Sequence, residues 1–350
     1  MIRIAGRAIG QGCPAYLVAE ISANHHHAFD QAVALVREAG RAGVDAVKLQ
    51  TYTAATMTLD TDAALFRIGE SSPWAGRRLY ELYQEAYTPW EWHAPLQQVA
   101  AEEGLALFST PFDESAVDFL ESLGMPAYKI ASFELVDTPL LTRVARTGKP
   151  VILSTGMATE DEIREAVESL RAAGCRDLVL LRCASAYPAQ PADFHLRAMQ
   201  TLASEFGADV GLSDHSLDPV VAVAAVALGG SLVEKHLTLD RARGGPDAAF
   251  SLEPHELAGL VRQVRTAEQA IGTGTAIPGP TDAERGSLVF RRSLFVVEDI
   301  EEGELFTRQN VRSLRPGCGL APKHVERVIG RRAAVRITRG TPLRWDLVGA

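Results

Sequence analysis

Eight short runs rich in Val, Ile and Leu recur along the first 270 or so residues, each too short for a typical helix and each followed by a polar cluster. They begin near Tyr16 (YLVAEIS), Val44 (VDAVKLQT), Leu105 (LALFSTP), Ala127 (AYKIAS), Pro150 (PVILSTG), Leu178 (LVLLRCAS), Val210 (VGLSDHS) and Ser231 (SLVEKHLTL). Amphipathic stretches separate most of them, among them Phe29 to Ala42 and Glu160 to Ala173. The second opens on Thr159 with Glu162 three residues on, a capping-box pattern. Strand and helix alternating eight times is the arithmetic of an α/β chain closed as a (β/α)8 barrel. The spacing breaks once, where some 50 residues with Trp74, Trp90 and Trp92 separate the second and third runs and read as an inserted excursion. A doubly wound open sheet is the competing architecture. No Gly-x-Gly-x-x-Gly follows the first run, which argues against dinucleotide binding.

The rest of the chain has another character. Val289 to Ala350 holds eleven Arg and one Lys against seven acids, a balance of +5 within a net charge of −9, which leaves the preceding residues at −14. Gly272 to Gly286 (GTGTAIPGPTDAERG) breaks both helical and strand periodicity. The expected organisation is a catalytic barrel over 1–272, a linker over 273–288 and a small second domain over 289–350. Net acidity argues against a nucleic-acid partner and for a small-molecule one. With 47% hydrophobic and 23% charged residues, disorder and collagen are excluded. The longest apolar stretch, Pro219 to Val233, is shorter than the roughly 20 residues that span a bilayer, and Met1 to Gly12 lacks a signal peptide's apolar segment. The expectation is a cytoplasmic protein with no membrane partner. Cys13, Cys175, Cys183 and Cys318 show no Cys-x-x-Cys pair, so they read as buried or incidental thiols.

In a barrel, chemistry gathers at the C-terminal strand ends. The polar residues expected there are Glu20, Lys48 and Gln50, Ser109 and Thr110, Lys129 and Ser132, Ser154 and Thr155, Ser185, Ser213 and His215, Glu234 and His236. Period-two alternation puts Lys48 with Gln50, Ser213 with His215, and Glu234 with His236 on common faces, and turns Lys235 the other way. The chain has thirty Arg and only five Lys, of which Lys48, Lys129 and Lys235 sit in the last turns of predicted strands. A compact ammonium kept against that drift suits a phosphate monoester or carboxylate, although a snorkelling lysine is the plainer account. His215 and His236, on neighbouring predicted strands about 4.8 Å apart, could share one divalent ion with positions left for water and substrate. A lone histidine is more often a satisfied core residue. The loop Arg243 to Asp247 and the pair Tyr187-Pro188 read equally well as ligand contacts or as surface turns.

At these residues the sequence resembles the sialic acid synthase family, and its pseudaminic acid branch in particular. The matching pieces are AEISANH (19 to 25), AVKLQTYT (46 to 53), FSTPFD (108 to 113), YKIASFE (128 to 134), ILSTGMAT (152 to 159), GLSDHS (211 to 216), EKHLTLDR (234 to 241), GGPDAAFSLEP (244 to 254) and FRRSLFVV (290 to 297). The resemblance implies a barrel followed by a small antifreeze-like (SAF) domain. Two echoed turns in the second module, Ile300-x-x-Gly303-x-x-Phe306 and Ile337-x-x-Gly340-x-x-Leu343, suit that domain. It implies condensation of phosphoenolpyruvate with an open-chain amino sugar to a nine-carbon 2-keto acid and phosphate. The acceptor of the pseudaminic branch is 2,4-diacetamido-2,4,6-trideoxy-altrose.

Metal-ligand positions fall on His215 and His236, for Mn²⁺, Mg²⁺ or Co²⁺. Phosphoenolpyruvate positions fall on Lys48, Thr110, Lys129, Ser132, Ser154, Ser185 and Ser213, with Ser185 standing where some members carry Asn. Sugar-side or catalytic positions fall on Glu20, Tyr187, Glu234 and Asp247. The family also implies a homodimer in which the SAF domain of one chain lids the barrel of the other and contributes Arg315. Rival readings are the same chemistry on N-acetylmannosamine or a legionaminic precursor, a Schiff-base aldolase using Lys129 or Lys235, and a carbohydrate-binding protein with an inactive barrel.

Overall fold

Each of the eight apolar runs folds as a strand in a computed structural model that describes residues 2–69, 74–272 and 279–349. The chain divides into two units, Met1–Gly274 and Thr275–Ala350. In the first, a hairpin of β1 (Ile2–Ile4) and β2 (Arg7–Ile9) precedes β3 (Tyr16–Glu20), β4 (Ala46–Thr51), β5 (Ala106–Pro111), β6 (Tyr128–Ile130), β7 (Val151–Ser154), β8 (Leu178–Cys183), β9 (Asp209–Asp214) and β10 (Leu232–His236). The last eight close into a barrel in sequence order, with β10 pairing parallel to both β9 and β3.

Alternation along the strands sorts the side chains into two apolar sets. Leu17, Ala19, Val47, Leu49, Tyr128, Ile130, Leu180 and Leu212 face outward and pack against the surrounding helices. Tyr16, Val18, Ala46, Phe108, Ile152, Val179, Leu181 and Leu232 face inward and fill the lower barrel. The hairpin joins this inner set through Ile2, Ile4 and Ile9, closing the end opposite the strand C-termini. The hairpin is not among the expected strands. Its three-residue arms and Ala5-Gly6 turn, with φ of 47° and 83°, lack the Asn-Gly or Asp-Gly signal that marks such turns in sequence.

The helices start where short polar caps allow. Thr159 accepts from the backbone N–H of Glu162, Asp113 from those of Ser115 and Ala116, and Asp137 and Asp218 serve the helices at Thr138–Ala145 and Pro219–Ala227. The apolar stretch from Pro219 to Val233 is thus split between a helix and β10. No helix among the described residues is long and apolar enough to cross a membrane. The excursion after β4 holds helical segments at Ala54–Met57 and Leu79–Ala86 before the helix His93–Glu102.

In the second unit, β11 (Ser293–Val296) and β12 (Val311–Leu314) pair antiparallel. The echoed turns are structurally equivalent. Ile300 and Ile337 exchange backbone hydrogen bonds of 2.9 and 2.8 Å, both glycines take positive φ (79° and 91°), and Phe306 and Leu343 enter one core. Of the expected linker, 273–278 lie outside the described residues. Asp282–Arg285 forms a helical turn, where Thr281 N donates to Glu284 Oε2 at 2.8 Å.

Candidate active site

The inward-facing positions above the apolar barrel floor carry charge instead of hydrocarbon. Register places Glu20 beside Lys48, and Glu234 beside Ser213. Glu20, Lys48, Lys129 and Glu234 are all buried, none more than 4% exposed. Lys48 Nζ is the hub, 2.6 Å from Glu20 Oε2 and 3.2 Å from Glu234 Oε1, and it donates to Thr110 Oγ1 at 3.2 Å. Lys129 Nζ stands 3.7 Å from the same Glu234 oxygen, which also accepts from Ser213 Oγ at 3.3 Å.

Burial pushes the Glu20 carboxyl up to about 7 against the pull of Lys48. Burial works on Glu234 in the same direction but is outweighed by Lys129 and Lys48, which hold it below the usual carboxylate range. Lys129 is lowered by burial, while the two carboxylates more than offset burial at Lys48. Two neighbouring carboxyls are thereby driven apart in proton affinity, the arrangement expected of an acid and a base.

A cavity of about 390 Å³ opens over this floor. Lys48, Lys129, Ser132, Ser154, Ser213, His215, Glu234, His236, Tyr187 and Asp247 line it. Ser154 Oγ is buried and finds no hydrogen-bond partner among the described residues, so it awaits an oxygen or nitrogen from a ligand. Ser132 Oγ accepts from Gly156 N at 3.0 Å. A Cβ at Gly156 would stand 2.3 Å from Ser185 Oγ and 2.8 Å from Ser132 Oγ, so only glycine brings the backbone this close to both hydroxyls.

The two imidazoles face the same cavity with ring centroids 5.3 Å apart. His215 Nδ1 is 3.0 Å from Ala184 O and must donate there, so Nε2 carries the lone pair whenever the ring is neutral. His236 Nδ1 is buried with no partner among the described residues, and burial holds that ring neutral, well below the ordinary histidine range. Among the described residues no group of three or more His, Cys, Asp or Glu is placed to hold an ion. The pair could hold a divalent cation by two nitrogens, with the remaining positions taken by water or substrate oxygens, as an open catalytic site does. Tyr187, 4.6 Å from His215, and Phe250, 4.9 Å from His236, wall the two rings.

Several expected residues stand elsewhere. Glu20 and Thr110 lie beneath the cavity against Lys48, and Ser185 stands behind Gly156. Ser109 and Thr155 do not line it: Ser109 Oγ meets Thr51 Oγ1 at 2.6 Å, which in turn meets His93 Nε2, and Thr155 Oγ1 donates to Leu181 O. Lys235 faces away, 2.8 Å from Asp214 Oδ2 and donating to Ser216 O, which removes it as an imine-forming lysine. His25 is buried between Thr88 and Trp92 outside the cavity, its basicity pushed down to about 3 by burial. Arg315 is an exposed residue of the second unit.

Other residues join the site without having been singled out as functional. Ser22, at φ 48°, donates its backbone N–H to Glu20 Oε1 and its hydroxyl to Asp247, and accepts from Gln50 Nε2 at 3.2 Å. Glu134 lines the cavity with Oε2 buried and without a partner among the described residues, and burial raises it to about 7. Its position at the end of the YKIASFE piece was the available signal. Cys183, read as an incidental thiol, is a cavity wall 3.9 Å from Ser185 Oγ.

Comparison with known proteins bears on the fold and the family. The model of the NeuB family matches residues 35–276, and that of the SAF domain matches 291–349. The pseudaminic acid synthase of Helicobacter pylori is 41% identical over 333 residues, covering 95% of this chain and 97% of that protein. The N,N'-diacetyllegionaminic acid synthase of Legionella pneumophila is 36% identical, covering 97% and 96%. The crystal structure of the N-acetylneuraminic acid synthetase of Leptospira borgpetersenii superimposes with a TM-score of 0.73 at 30% identity, over 82% of this chain and 94% of that one. An eight-stranded barrel with this floor, followed by a small SAF domain, and 41% identity across nearly the whole length establish that the chain belongs to the NeuB family.

Proposed function

We propose that this chain condenses phosphoenolpyruvate with 2,4-diacetamido-2,4,6-trideoxy-β-L-altropyranose and water to give pseudaminic acid and phosphate. The observation that carries the reading is the pair of buried ammonium groups, Lys48 and Lys129, sharing Glu234 at the base of a cavity that two imidazoles also face. Two fixed cations ringed by hydroxyls suit a small substrate bearing both phosphate and carboxylate. Relatives named as pseudaminic acid synthases at 41% identity support the choice of acceptor.

In this proposal Lys48 and Lys129 hold the anionic oxygens of phosphoenolpyruvate, helped by the hydroxyls of Ser132, Ser154 and Ser213, while Thr110 braces Lys48 from beneath and Ser185 backs Gly156. Tyr187, Asp247 and Glu234 orient the sugar. His215 and His236 would hold a divalent ion, Mn²⁺, Mg²⁺ or Co²⁺, which would supply Lewis-acid polarisation of the sugar aldehyde. Carbon 3 of phosphoenolpyruvate bonds to the aldehyde carbon, whose oxygen ends as a hydroxyl. Glu20 and Glu234 stabilise the positive charge developing at carbon 2. Water adds there, Glu20 or Glu234 takes one of its protons while the sugar oxygen gains one, and the bond from carbon 2 to the phosphate oxygen breaks as the new hydroxyl becomes the keto group, its proton leaving with the phosphate that the two lysines hold.

The proposal extends to a cytoplasmic homodimer in which the SAF domain of one chain covers the barrel of the other and presents Arg315 to the sugar. The opposite charge of the two modules, −14 and +5, suits such a pairing. The test is phosphate release from phosphoenolpyruvate with the altrose sugar, with N-acetylmannosamine and with no sugar, each with Mn²⁺ and with EDTA. Release confined to the altrose sugar and abolished by EDTA is expected. Release with N-acetylmannosamine alone overturns the acceptor, and none with any sugar in folded, metal-loaded protein overturns the reaction.

A further inference from the structure

The floor of the cavity is polar, whereas the described residues that line it from the excursion between β4 and β5 present mainly hydrocarbon, the Tyr83 phenol being the exception. Met57, Ile68, Trp74, Leu79, Leu82 and Ala86 line it, and Tyr83 is the one further lining residue that the described part of 54–86 contributes. The described charged residues of the same stretch are turned outward and paired among themselves. Arg78 pairs with Asp60 at 2.9 Å and Glu81 at 2.8 Å, Arg67 with Asp62 at 3.2 Å, and Arg77 with Glu85. The helix Leu79–Ala86 shows how the sequence arranges this. Its positions 79, 82, 83 and 86 follow the i, i+3, i+4, i+7 stripe toward the cavity, and Glu81 and Glu85 fall on the opposite face. Trp74 spends its indole N–H on Pro246 O at 2.9 Å, so the ring it offers the cavity is hydrocarbon.

Leu82 and Ala86 are buried, yet neither packs into either apolar core of the barrel unit. This stripe therefore borders ligand space and is not simply barrel packing. A hydroxyl pressed against such a wall would lose its water without gaining a partner, whereas a methyl would gain by leaving water.

We infer that Met57, Ile68, Leu79, Leu82 and Ala86 form the specificity wall for the deoxygenated end of the acceptor, receiving the methyl at carbon 6 and discriminating against a 6-hydroxymethylene sugar. The inference rests on the proposed function, because that reaction brings the aldehyde carbon to the lysine and histidine floor. Carbon 6 then lies at the other end of the open chain, toward the loops that follow the strands. Met57 and Leu79, both partly exposed, are the residues at which a polar replacement least disturbs packing.

The test compares kcat/KM for the 6-deoxy acceptor and its 6-hydroxy counterpart, at saturating phosphoenolpyruvate, in wild type, Met57→Gln and Leu79→Gln. Wild type should prefer the 6-deoxy sugar by up to the order of 100-fold, the range of discrimination an apolar pocket achieves against an added hydroxyl. Each glutamine variant should lower that preference by about tenfold while the KM for phosphoenolpyruvate stays at the wild-type value. Wild-type protein alone provides a second measurement, independent of whether the variants fold. Among competitive analogues altered only at carbon 6, methyl should inhibit more strongly than hydroxymethyl, and ethyl should stay closer to methyl. A preference unchanged in both folded variants, or analogues that inhibit alike, overturns the inference while leaving the reaction standing. Wild type that turns over neither altrose sugar overturns the proposed function and this inference together.

Discussion

Glu134→Gln should remove a pH dependence of stability from the barrel unit. Glu134 ends the turn Ser132–Glu134 at the cavity, with Oε2 buried and without a partner among the described residues. Desolvation raises its carboxyl from 4.5 to about 7, only partly offset by Lys129. The folded state thus keeps a proton that the unfolded chain releases. Stability from this group is full below about pH 4.5 and is lost as pH rises through about 7. A shift of that size corresponds to about 3 kcal/mol, and residual contact with cavity water trims it to about 2 kcal/mol. Glutamine has the same shape and no charge to desolvate. The stability of Glu134→Gln relative to wild type should therefore rise by about 2 kcal/mol between pH 5 and pH 8. Urea unfolding of ligand-free protein, followed by tryptophan fluorescence, reads this out, because Trp74, Trp90 and Trp92 lie in the first unit and only Trp345 in the second. A difference between variant and wild type that stays flat across that range would refute the desolvation argument.

Gly156→Ala, which thrusts a methyl into Ser185 and Ser132, should raise the KM for phosphoenolpyruvate by about tenfold with a smaller change in kcat; an unmoved KM would detach these hydroxyls from the substrate. Lys48→Met leaves Glu20 and Glu234 buried without their nearest cation, so it should cost about 3–5 kcal/mol in urea unfolding and reduce phosphate release to background. Unfolding at the wild-type midpoint would show that the network carries no such penalty. His236→Ala and Arg315→Ala should each be inactive alone. Unfolded and refolded together in equal amounts they should regain about a quarter of wild-type activity, because in the proposed swapped dimer half the dimers would be mixed and each of those would hold one intact site. No recovery on mixing, in protein that sizes as a dimer, would overturn the swapped arrangement.

The barrel was legible because its strands obey two rules at once. Each run is short and mainly apolar, as strands buried on both faces must be, and its alternation still separates inward from outward residues. The capped helices were legible for a related reason, since Thr159 and Glu162 satisfy backbone donors whatever packs around them. The hairpin was not, because Ile2, Ile4 and Ile9 are held by the barrel interior and not by a local turn signal. The echoed turns of the second unit were visible as spacing. Their pairing through Ile300 and Ile337 is long-range and needed the fold.

The site divides along the same line. Lysine scarcity marked Lys48, Lys129 and Lys235 alike, yet Lys235 sits against Asp214 on the outer face, where it serves packing. Strand parity separates the three, not residue type: Lys235 falls between the inward Glu234 and His236, whereas Lys48 shares its face with Gln50. Glu134 escaped for the opposite reason. It lies beyond the end of β6, on a 3₁₀ turn where no two-residue period applies, and only the closed barrel shows that its carboxyl enters the cavity. Four buried charges at the barrel's centre are themselves informative, since apolar residues of similar volume would fill such a space at equal or lower cost. Their retention above an otherwise hydrocarbon-filled barrel argues that the floor is shaped for an anionic ligand and for moving protons, with stability given up at that level to do so.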